Sequence, residues 1–306
     1  MTKTKSWLER GGCAVVVAAL IALAPGCDSK KSGSDEGDEE GGEERAEVVT
    51  GGDLPERPGR IVSLAPNVTE TLFALGPGER VVGVTKFCDY PQEAGERPSV
   101  GSFANPDFES ILAREPDLVI GVISGGKKEV ADRLGGLDVP YGFVRMYSVE
   151  DTFRGIVQIG RWAGAGPKAE SLVDEMRGRI DEISEQWSQK SRPTVLLVYG
   201  HDPLVAAGPG TFGHQLVERA GGRNVLAEAG ARFPRLDIEK VVELDPERIV
   251  DTSMTGGDGG GFWEKHGAVP AVERGDVARL EDSAVLRPGP RLPEALELLG
   301  RAIHAD

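Results

Sequence analysis

The chain has 306 residues and a formal net charge of −15 at pH 7, from 35 Lys and Arg against 50 Asp and Glu. A protein that binds nucleic acid would need a charge of the opposite sign, so we expect no nucleic-acid partner. Only four His are present, without the spaced His-Glu-x-x-His or Gly-x-Ser-x-Gly patterns of common hydrolases. The sequence therefore lacks the motifs by which these hydrolases are recognised.

Residues 1–26 have the pattern of an export signal. Basic residues come first, an apolar run follows from Cys13 to Ala24, and small residues lead to Cys27. The run is too short to span a bilayer, which takes about 20 residues. The segment Leu23–Cys27 resembles a bacterial lipobox, which predicts a lipoprotein signal peptide and lipidation of Cys27. An ordinary secretory signal is the alternative.

Residues 27–57 are predicted to be an acidic, disordered tether. The stretch SDEGDEEGGEERAE holds no large apolar residue, so this part of the chain cannot bury enough surface to fold. After Cys27 the only cysteine is Cys88, which excludes an intramolecular disulfide in the processed chain. The folded part must then be stabilised by its apolar cores, and we expect Cys88 to be a buried apolar thiol.

Residues 58–147 are predicted to form a first α/β lobe, in which short apolar strands alternate with helices. Asn67 is predicted to be an N-cap with Glu70 completing a capping box, and Gly76 to end that helix. Asp107 is predicted to cap a second helix. The expected strands are Arg60–Pro66, Val81–Thr85, Asp117–Val122 and Tyr141–Val144, and the expected helices include Lys127–Leu134.

Residues 148–191 are predicted to be connecting helices. Apolar residues recur every three or four positions through Ala169–Lys190, which predicts one long amphipathic helix. At 1.5 Å per residue it would be roughly 30 Å long, about the width of a small domain. We interpret it as a rigid strut between two lobes.

Residues 192–306 are predicted to form a second α/β lobe that repeats the first. The strand Thr194–Tyr199 opens it, and Asp237 is predicted to cap Ile238–Leu244. The segments Phe108–Ile120 and Ile238–Val250 match in register, each with an acid one residue after its first position and a Pro seven places later. Such alternation predicts two small, mostly parallel sheets with a cleft at the carboxyl ends of their strands.

The ordered motifs RIVSLAPNVTETLFALG, VVGVTKFCDYPQEA, VGSFANPDFESILAREPDLVIGV, YGHDPLVAAG and DSAVLRPGPRLPEALELLGRAIH resemble the substrate-binding proteins of importers for cobalamin, ferric siderophores and haem. The resemblance implies a class III periplasmic-binding-protein fold, with two α/β lobes on one long rigid helix. It also implies a monomer that works in the periplasm, lipid-anchored to the membrane. The partners it implies are an ABC permease with its ATPase subunits and a small-molecule metal chelate, with no cofactor and no catalysis.

By position, Glu109 and Glu239 match the acids with which this family docks onto the permease. An acid in the first turn of a helix is also stabilising without any partner, by about 0.3–1 kcal/mol. We favour docking because the two acids stand at equivalent places of the repeated unit.

The resemblance also implies a cleft lined by aromatic side chains and one basic residue. A corrinoid is the first expectation for the ligand, and ferric siderophores and haem are the alternatives. Basic groups would favour a siderophore, with Arg145, Arg235, Arg287 and Arg291 as candidates; a Tyr or His ligand to iron would favour haem, with Tyr90, Tyr199 and His201 as candidates. The expected ligand-binding residues are Phe87, Tyr90, Phe103, Tyr199, His201, Val205, Phe233 and Arg287.

Overall fold

Two β-sheets, each flanked by helices, are built from the two halves of the chain. The computed structural model describes residues 48–102, 104–123, 128–253 and 260–305. Cys27 and Phe103 therefore lie outside the described residues, as does most of the predicted tether. Within the described part, no helix is both long enough and apolar enough to cross a membrane.

The first sheet has five strands in the order β1-β5-β4-β2-β3, and only the β1–β5 pairing is antiparallel. Its parallel strands are buried almost throughout, as expected for a sheet that helices cover on both faces. The strands are Val48–Gly51 (β1), Ile61–Ser63 (β2), Val81–Val84 (β3), Leu118–Val122 (β4) and Tyr141–Val144 (β5).

Strand β1 corrects the predicted extent of the tether, which was expected to run to residue 57. Val48 pairs with Val144 and Gly51 with Tyr141, so these residues belong to the folded part. The paired residues lie 90 to 96 positions apart in the chain, and the segment itself has no strand-like alternation.

The helices of the first lobe are Pro66–Leu75 (α1), Gln92–Gly95 (α2), Phe108–Leu112 (α3) and Lys128–Gly135 (α4), with a short 3₁₀ helix at Pro77–Arg80. The predicted capping box at Asn67 is wrong, because α1 begins two residues earlier than an N-cap at Asn67 requires, and its N-cap is Ala65, without a side-chain cap. The predicted end is confirmed: Gly76 adopts a left-handed φ of 98°, which suits a residue without Cβ.

Two helices connect the lobes: Val149–Trp162 (α5) and Gly166–Ser188 (α6). Helix α6 confirms the long helix predicted at Ala169–Lys190, displaced by two or three residues at its ends. Its buried side chains follow the predicted spacing: Ala169, Val173, Met176, Ile180 and Ile183. This stripe joins the large core that includes residues of both lobes, so α6 is packed along its length and not an exposed linker.

The second sheet has the order β11-β10-β6-β7-β9, with β8 also paired to β6. Strands β6, β10 and β11 are parallel, and β7 returns antiparallel to β6. The strands are Thr194–His201 (β6), Leu204–Ala206 (β7), Arg223–Asn224 (β8), Arg235–Leu236 (β9), Arg248–Asp251 (β10) and Val277–Arg279 (β11).

The helices of the second lobe are Phe212–Arg219 (α7), Ile238–Leu244 (α8), Gly260–Glu264 (α9), Pro270–Arg274 (α10) and Leu292–Ile303 (α11), with a 3₁₀ helix at Ser283–Leu286. The predicted caps of the repeated unit are confirmed. Asp107 accepts hydrogen bonds from the N–H groups of Glu109 and Ser110, and Asp237 accepts one from the N–H group of Lys240.

Candidate functional site

The carboxyl edge of the first sheet faces the second lobe. Arg287 donates a hydrogen bond to the carbonyl oxygen of Phe87, in the loop after β3. The carbonyl oxygen of Tyr147, after β5, accepts from the N–H of Phe212 at the start of α7, and the guanidinium of Arg232 lies 5.2 Å from the centre of the Tyr147 ring. These contacts bring the two lobes together where the sequence predicted the cleft.

Three large aromatic rings are exposed on loops of the two lobes. Phe87 is 52% exposed, Tyr90 46% and Phe233 43%. All three were expected to bind ligand. Single exposed apolar side chains are common, but rings of this size on the loops expected to line a cleft offer a surface on which a flat ligand could stack.

A buried ionic cluster lies beneath the Phe87 and Tyr90 side chains. Arg287 donates to Asp89 over 2.6 Å and to Glu70 over 3.0 Å. Burial tends to lower the pKa of Arg287, but its hydrogen bonds to Asp89 and Glu70 outweigh that effect and raise it. Arg291 binds both oxygens of Glu70, and its guanidinium lies 4.1 Å from the centre of the Tyr90 ring. Both arginines are therefore cations held in place by carboxylates.

The structure does not gather the four candidate arginines at one place. Arg287 and Arg291 share Glu70, whereas Arg235 lies in β9. Arg145 lies 3.8 Å from Asp151, in a pocket of about 340 Å³ beside α5 and α6.

The side chain of Tyr199 contacts neighbouring aromatic residues through its ring, and its hydroxyl oxygen is not accessible. The ring packs against Phe212 and Phe233, with centroids 6.5 and 6.1 Å away, and the hydroxyl oxygen is buried. Burial raises the pKa of the Tyr199 hydroxyl. Gly213 makes room for it, since an added Cβ would lie 1.9 Å from that oxygen. In this conformation Tyr199 cannot supply an oxygen ligand to a metal in the cleft.

His201 ends β6 inside a compact polar cluster and is only 8% exposed. Its Nε2 lies 2.9 Å from Asp251 Oδ2, at the end of the adjacent strand β10, and its ring stacks on that of Phe262 with centroids 4.0 Å apart. Asp251 Oδ2 also accepts from Trp263 Nε1 over 2.9 Å. Val205, which was also expected to bind ligand, is half-buried on the neighbouring β7.

Among the described residues, no group of three or more His, Cys, Asp or Glu side chains is arranged to hold a metal ion. The carboxylate of Asp251 orients the His201 ring, and the Nδ1 atom has only a 3.4 Å contact to Ser253 Oγ. This arrangement of a carboxylate behind an imidazole is also the usual support of a metal-binding histidine.

Glu109 and Glu239 occupy equivalent places on the two lobes. Both are exposed, and each lies in the first turn of its helix, α3 or α8. A surface hollow of about 460 Å³ adjoins Glu109 and is lined in part by Asp107, Glu129 and Arg133. The carboxylates around this hollow suit a basic side chain of a partner.

A family model described as "Periplasmic binding protein" matches residues 61–284. The chain belongs to the periplasmic binding protein family. The match covers both connecting helices and every strand of the two sheets except β1, and it confirms the α/β two-lobe fold class and the binding-protein role expected from the sequence.

The relatives of this periplasmic binding protein include proteins named for binding vitamin B12 and others named for binding haem. A vitamin B12-binding protein of Vibrio parahaemolyticus is 26% identical over 237 residues, which cover 78% of this chain and 86% of the relative. A periplasmic haem-binding protein of a Roseiflexus species has a solved structure with a TM-score of 0.72 and 29% identity, covering 80% of this chain and 97% of that one. A haem-binding protein of Pseudomonas aeruginosa gives a TM-score of 0.71 and 28% identity, with 81% and 93% covered.

Several residues of this site were not singled out from the sequence. Glu70 was assigned to a helix cap, and Asp251, Phe262 and Trp263 had no predicted role. Their partners are distant in the chain: Glu70 and Arg291 are 221 residues apart. The sequence offered one usable signal for Asp251, namely an acid at the end of an apolar strand. Because buried charges are almost always paired, such an acid predicts a polar partner nearby.

Proposed function

We propose that this periplasmic binding protein is the substrate-binding component of an ABC importer that captures a corrinoid between its lobes and delivers it to a permease. The observation that carries the proposal is the set of exposed rings of Phe87, Tyr90 and Phe233 on the loops of the two lobes. A corrin macrocycle is broad and largely apolar, and ligands in such clefts are bound mainly by apolar and aromatic side chains. The names of the vitamin B12-binding relatives support this choice.

The proposed ligand surface consists of the residues expected from the sequence, with their roles refined by geometry. Phe87, Tyr90 and Phe233 supply rings, Tyr199 supports Phe233, and Arg287 supplies a fixed cation. We include Phe103 and Val205 in the proposed surface, together with His201 at the end of β6. The protein has no catalytic role in this proposal, because hydrolysis of ATP belongs to the importer's ATPase subunits.

Haem is the second candidate ligand, and a ferric siderophore is the third. Haem is favoured by the two haem-binding relatives at 28–29% identity and by His201, whose ring is backed by Asp251. A siderophore is less well supported, because Arg145 and Arg235 do not join Arg287 and Arg291 in one cluster.

We also propose that the protein is attached to the membrane through a lipid on Cys27, with residues 28–47 as an acidic tether, and that it works in the periplasm as a monomer. Glu109 and Glu239 are the proposed contacts to the permease. The support is the lipobox-like segment for the anchor, and for docking the equivalent exposed positions of the two acids.

Isothermal titration with cyanocobalamin, haemin and ferrichrome in turn tests the proposed ligand. The protein should begin at Asp28, which retains β1 and removes the lipidation site. We expect saturable binding of one cyanocobalamin with submicromolar affinity and much weaker binding of the other two. Tight binding of haemin with a shifted absorbance band would replace the corrinoid by haem. Binding of none of the three would refute the proposed ligand class.

A further inference from the structure

Glu70 is a buried carboxylate of the first lobe whose partners come from the second lobe. Its side chain is 1% exposed. Arg291 donates from Nε to Oε2 over 2.9 Å and from Nη2 to Oε1 over 2.8 Å, and Arg287 Nη1 donates to Oε1 over 3.0 Å. A carboxylate this deeply buried is tolerated only when it is paired and hydrogen-bonded. Both arginines precede α11, so the cluster joins the lobes.

A second bond between the lobes lies beside this cluster. Asn67 Nδ2 donates to the carbonyl oxygen of Pro288 over 3.0 Å. Gly289 lies against the same residue, since a Cβ added there would be 3.4 Å from Asn67 Cβ. The segment between Arg287 and Arg291 therefore packs against α1. This contact fixes the backbone positions from which both arginine side chains extend.

From Glu70 the two arginines extend outward to the residues Phe87–Tyr90, which we call the aromatic loop. Arg287 Nη1 donates to Asp89 Oδ1 over 2.6 Å, and its Nη2 donates to the Phe87 carbonyl oxygen over 3.1 Å. The guanidinium of Arg291 covers the Tyr90 ring at 4.1 Å. The loop is thus held through a side chain, a carbonyl group and a ring.

The ion pairs that Arg287 and Arg291 form with Asp89 and Glu70 differ in strength. The stronger ones identify the residue that controls the conformation of the loop. Asp89 is 62% exposed, and an exposed ion pair contributes only about 0–1 kcal/mol. Glu70 is shielded from water and binds both arginines, one of them through two parallel N–H···O bonds, a geometry that fixes the plane of the guanidinium. Without Glu70, Arg287 would keep its contacts to the exposed Asp89 and to the Phe87 carbonyl oxygen. Arg291 would keep single bonds to Asp282 and Ser283, and neither replaces the paired bonds that fix the plane of its guanidinium.

We propose that Glu70 is a positioning residue for the ligand surface: through Arg287 and Arg291 it holds the aromatic loop in the conformation that presents Phe87 and Tyr90. A loop that is ordered before the ligand arrives loses less conformational entropy on binding. The effect on affinity rests on the proposed function, whereas the effect on loop order does not.

Glu70→Gln tests this role, because it keeps the shape of the side chain and removes its charge. Hydrogen–deuterium exchange of peptides covering Lys86–Tyr90 should become at least tenfold faster, with exchange in α6 unchanged. Glu170→Gln is the matched control: it removes an exposed ion pair to Arg161 on the connecting helices and should leave the loop unaffected. Cyanocobalamin and haemin are titrated separately. Each ligand that the parent protein binds should bind the variant about tenfold more weakly.

Arg291→Lys provides a second variant in case Glu70→Gln does not fold. Lysine retains a positive charge beside Glu70 but has no planar fork to bind both oxygens while lying flat on Tyr90. We expect faster exchange in the aromatic loop here as well. Unchanged loop exchange in a folded variant, or an equal acceleration throughout the protein, would overturn the proposal. If the parent protein binds neither ligand, the proposed function fails and the exchange data still decide the role of Glu70.

Discussion

His201 Nε2 and Asp251 Oδ2 lie 2.9 Å apart at the carboxyl ends of two adjacent parallel strands. Because an ionised carboxylate can only accept, Nε2 is the donor in this hydrogen bond. Asp251 also accepts from the indole N–H of Trp263 and from the backbone N–H of Ser253. One buried carboxylate thus organises β6, β10 and the helix α9.

Asp251→Asn should destabilise the protein by about 2–3 kcal/mol, the range for losing hydrogen bonds to a buried charged group. An amide has one accepting oxygen in place of two, so at least one of the three N–H donors loses its partner. Urea denaturation measures the loss. Asp181→Asn is the control, since Asp181 is 76% exposed and its ion pair with Arg219 lies on the surface. A loss below about 0.5 kcal/mol for Asp251→Asn would show that the cluster does not stabilise the lobe.

Phe87→Ala and Phe233→Ala should each weaken ligand binding at least tenfold while changing the free energy of unfolding little. Both rings are about half exposed in the free protein, so most of the surface they can bury becomes buried only on binding. Titration and urea denaturation separate the two effects.

Leu137→Ala is the matched control for these rings. Leu137 is 39% exposed, but it precedes β5 and so lies at the amino end of the first sheet, opposite the expected cleft. Its variant should bind ligand as the parent does. Equal affinity losses in all three variants would contradict a specific role for the rings.

Local patterns in the sequence predicted the repeated unit well. Asp107 and Asp237 are followed by short amphipathic helices and a Pro before an apolar strand, and the side-chain caps that form are contacts within three residues. The predicted cap at Asn67 failed because its side chain bonds to Pro288, 221 residues away. A local signal was overridden there by a contact between lobes that no short stretch of sequence contains.

In the candidate site, too, features set by neighbouring residues in the sequence were predicted, and features set by residues distant in the sequence were not. The aromatic residues and Arg287 were found through motifs, and the rings of Phe87 and Tyr90 are exposed as a binding role requires. The buried hydroxyl of Tyr199 could not be predicted, because it depends on the packing of Phe212 and Gly213 against that side chain. Which atom of a residue faces a cleft is a property of tertiary packing.

Charge reversal at Glu109 and Glu239 should abolish stimulation of the importer's ATPase while leaving ligand affinity unchanged. Both side chains are exposed and make no hydrogen bond through their carboxylates in the described structure, so their loss should not disturb folding. The assay uses the cognate permease and ATPase complex reconstituted in nanodiscs, with Glu109→Lys/Glu239→Lys compared with the parent. Glu170→Lys/Glu182→Lys, at two exposed positions of the connecting helix α6, is the charge-matched control. Full stimulation by the double variant would exclude docking through these acids.

The stabilising contribution of Asp151 to the free energy of unfolding should decrease at low pH. Burial tends to raise the pKa of Asp151, but hydrogen bonds from Arg154 and Ser148 outweigh it and hold that pKa below the usual value of 3.8. In the unfolded chain the carboxyl binds its proton at higher pH than in the folded chain. Its contribution is therefore present above the unfolded pKa and is lost as the pH falls through the folded value.

Asp151→Asn measures this contribution. At pH 7 the variant should be less stable by about 1 kcal/mol, the usual value of a helix cap, because Asp151 forms a capping box with Ser148. The difference from the parent protein should shrink between pH 5 and pH 3, as followed by urea denaturation at each pH. A difference that stays constant over that range would show that the charge of Asp151 is not involved.

The thiol of Cys88 should react slowly in the folded protein, although its neighbours Phe87 and Asp89 are exposed. Cys88 is 3% exposed, accepts a hydrogen bond from Thr69 Oγ1 over 3.2 Å and lies 3.2 Å from Thr85 Oγ1. Burial raises the pKa of this thiol, and the thiolate is the reactive form.

Reaction of Cys88 with Ellman's reagent at pH 8 should be at least a hundredfold slower than in 8 M urea. Saturating ligand should not change the folded-state rate, because the sulfur atom is buried in the core. Fast labelling that ligand suppresses would instead place the sulfur in the cleft, as a contact to the metal chelate.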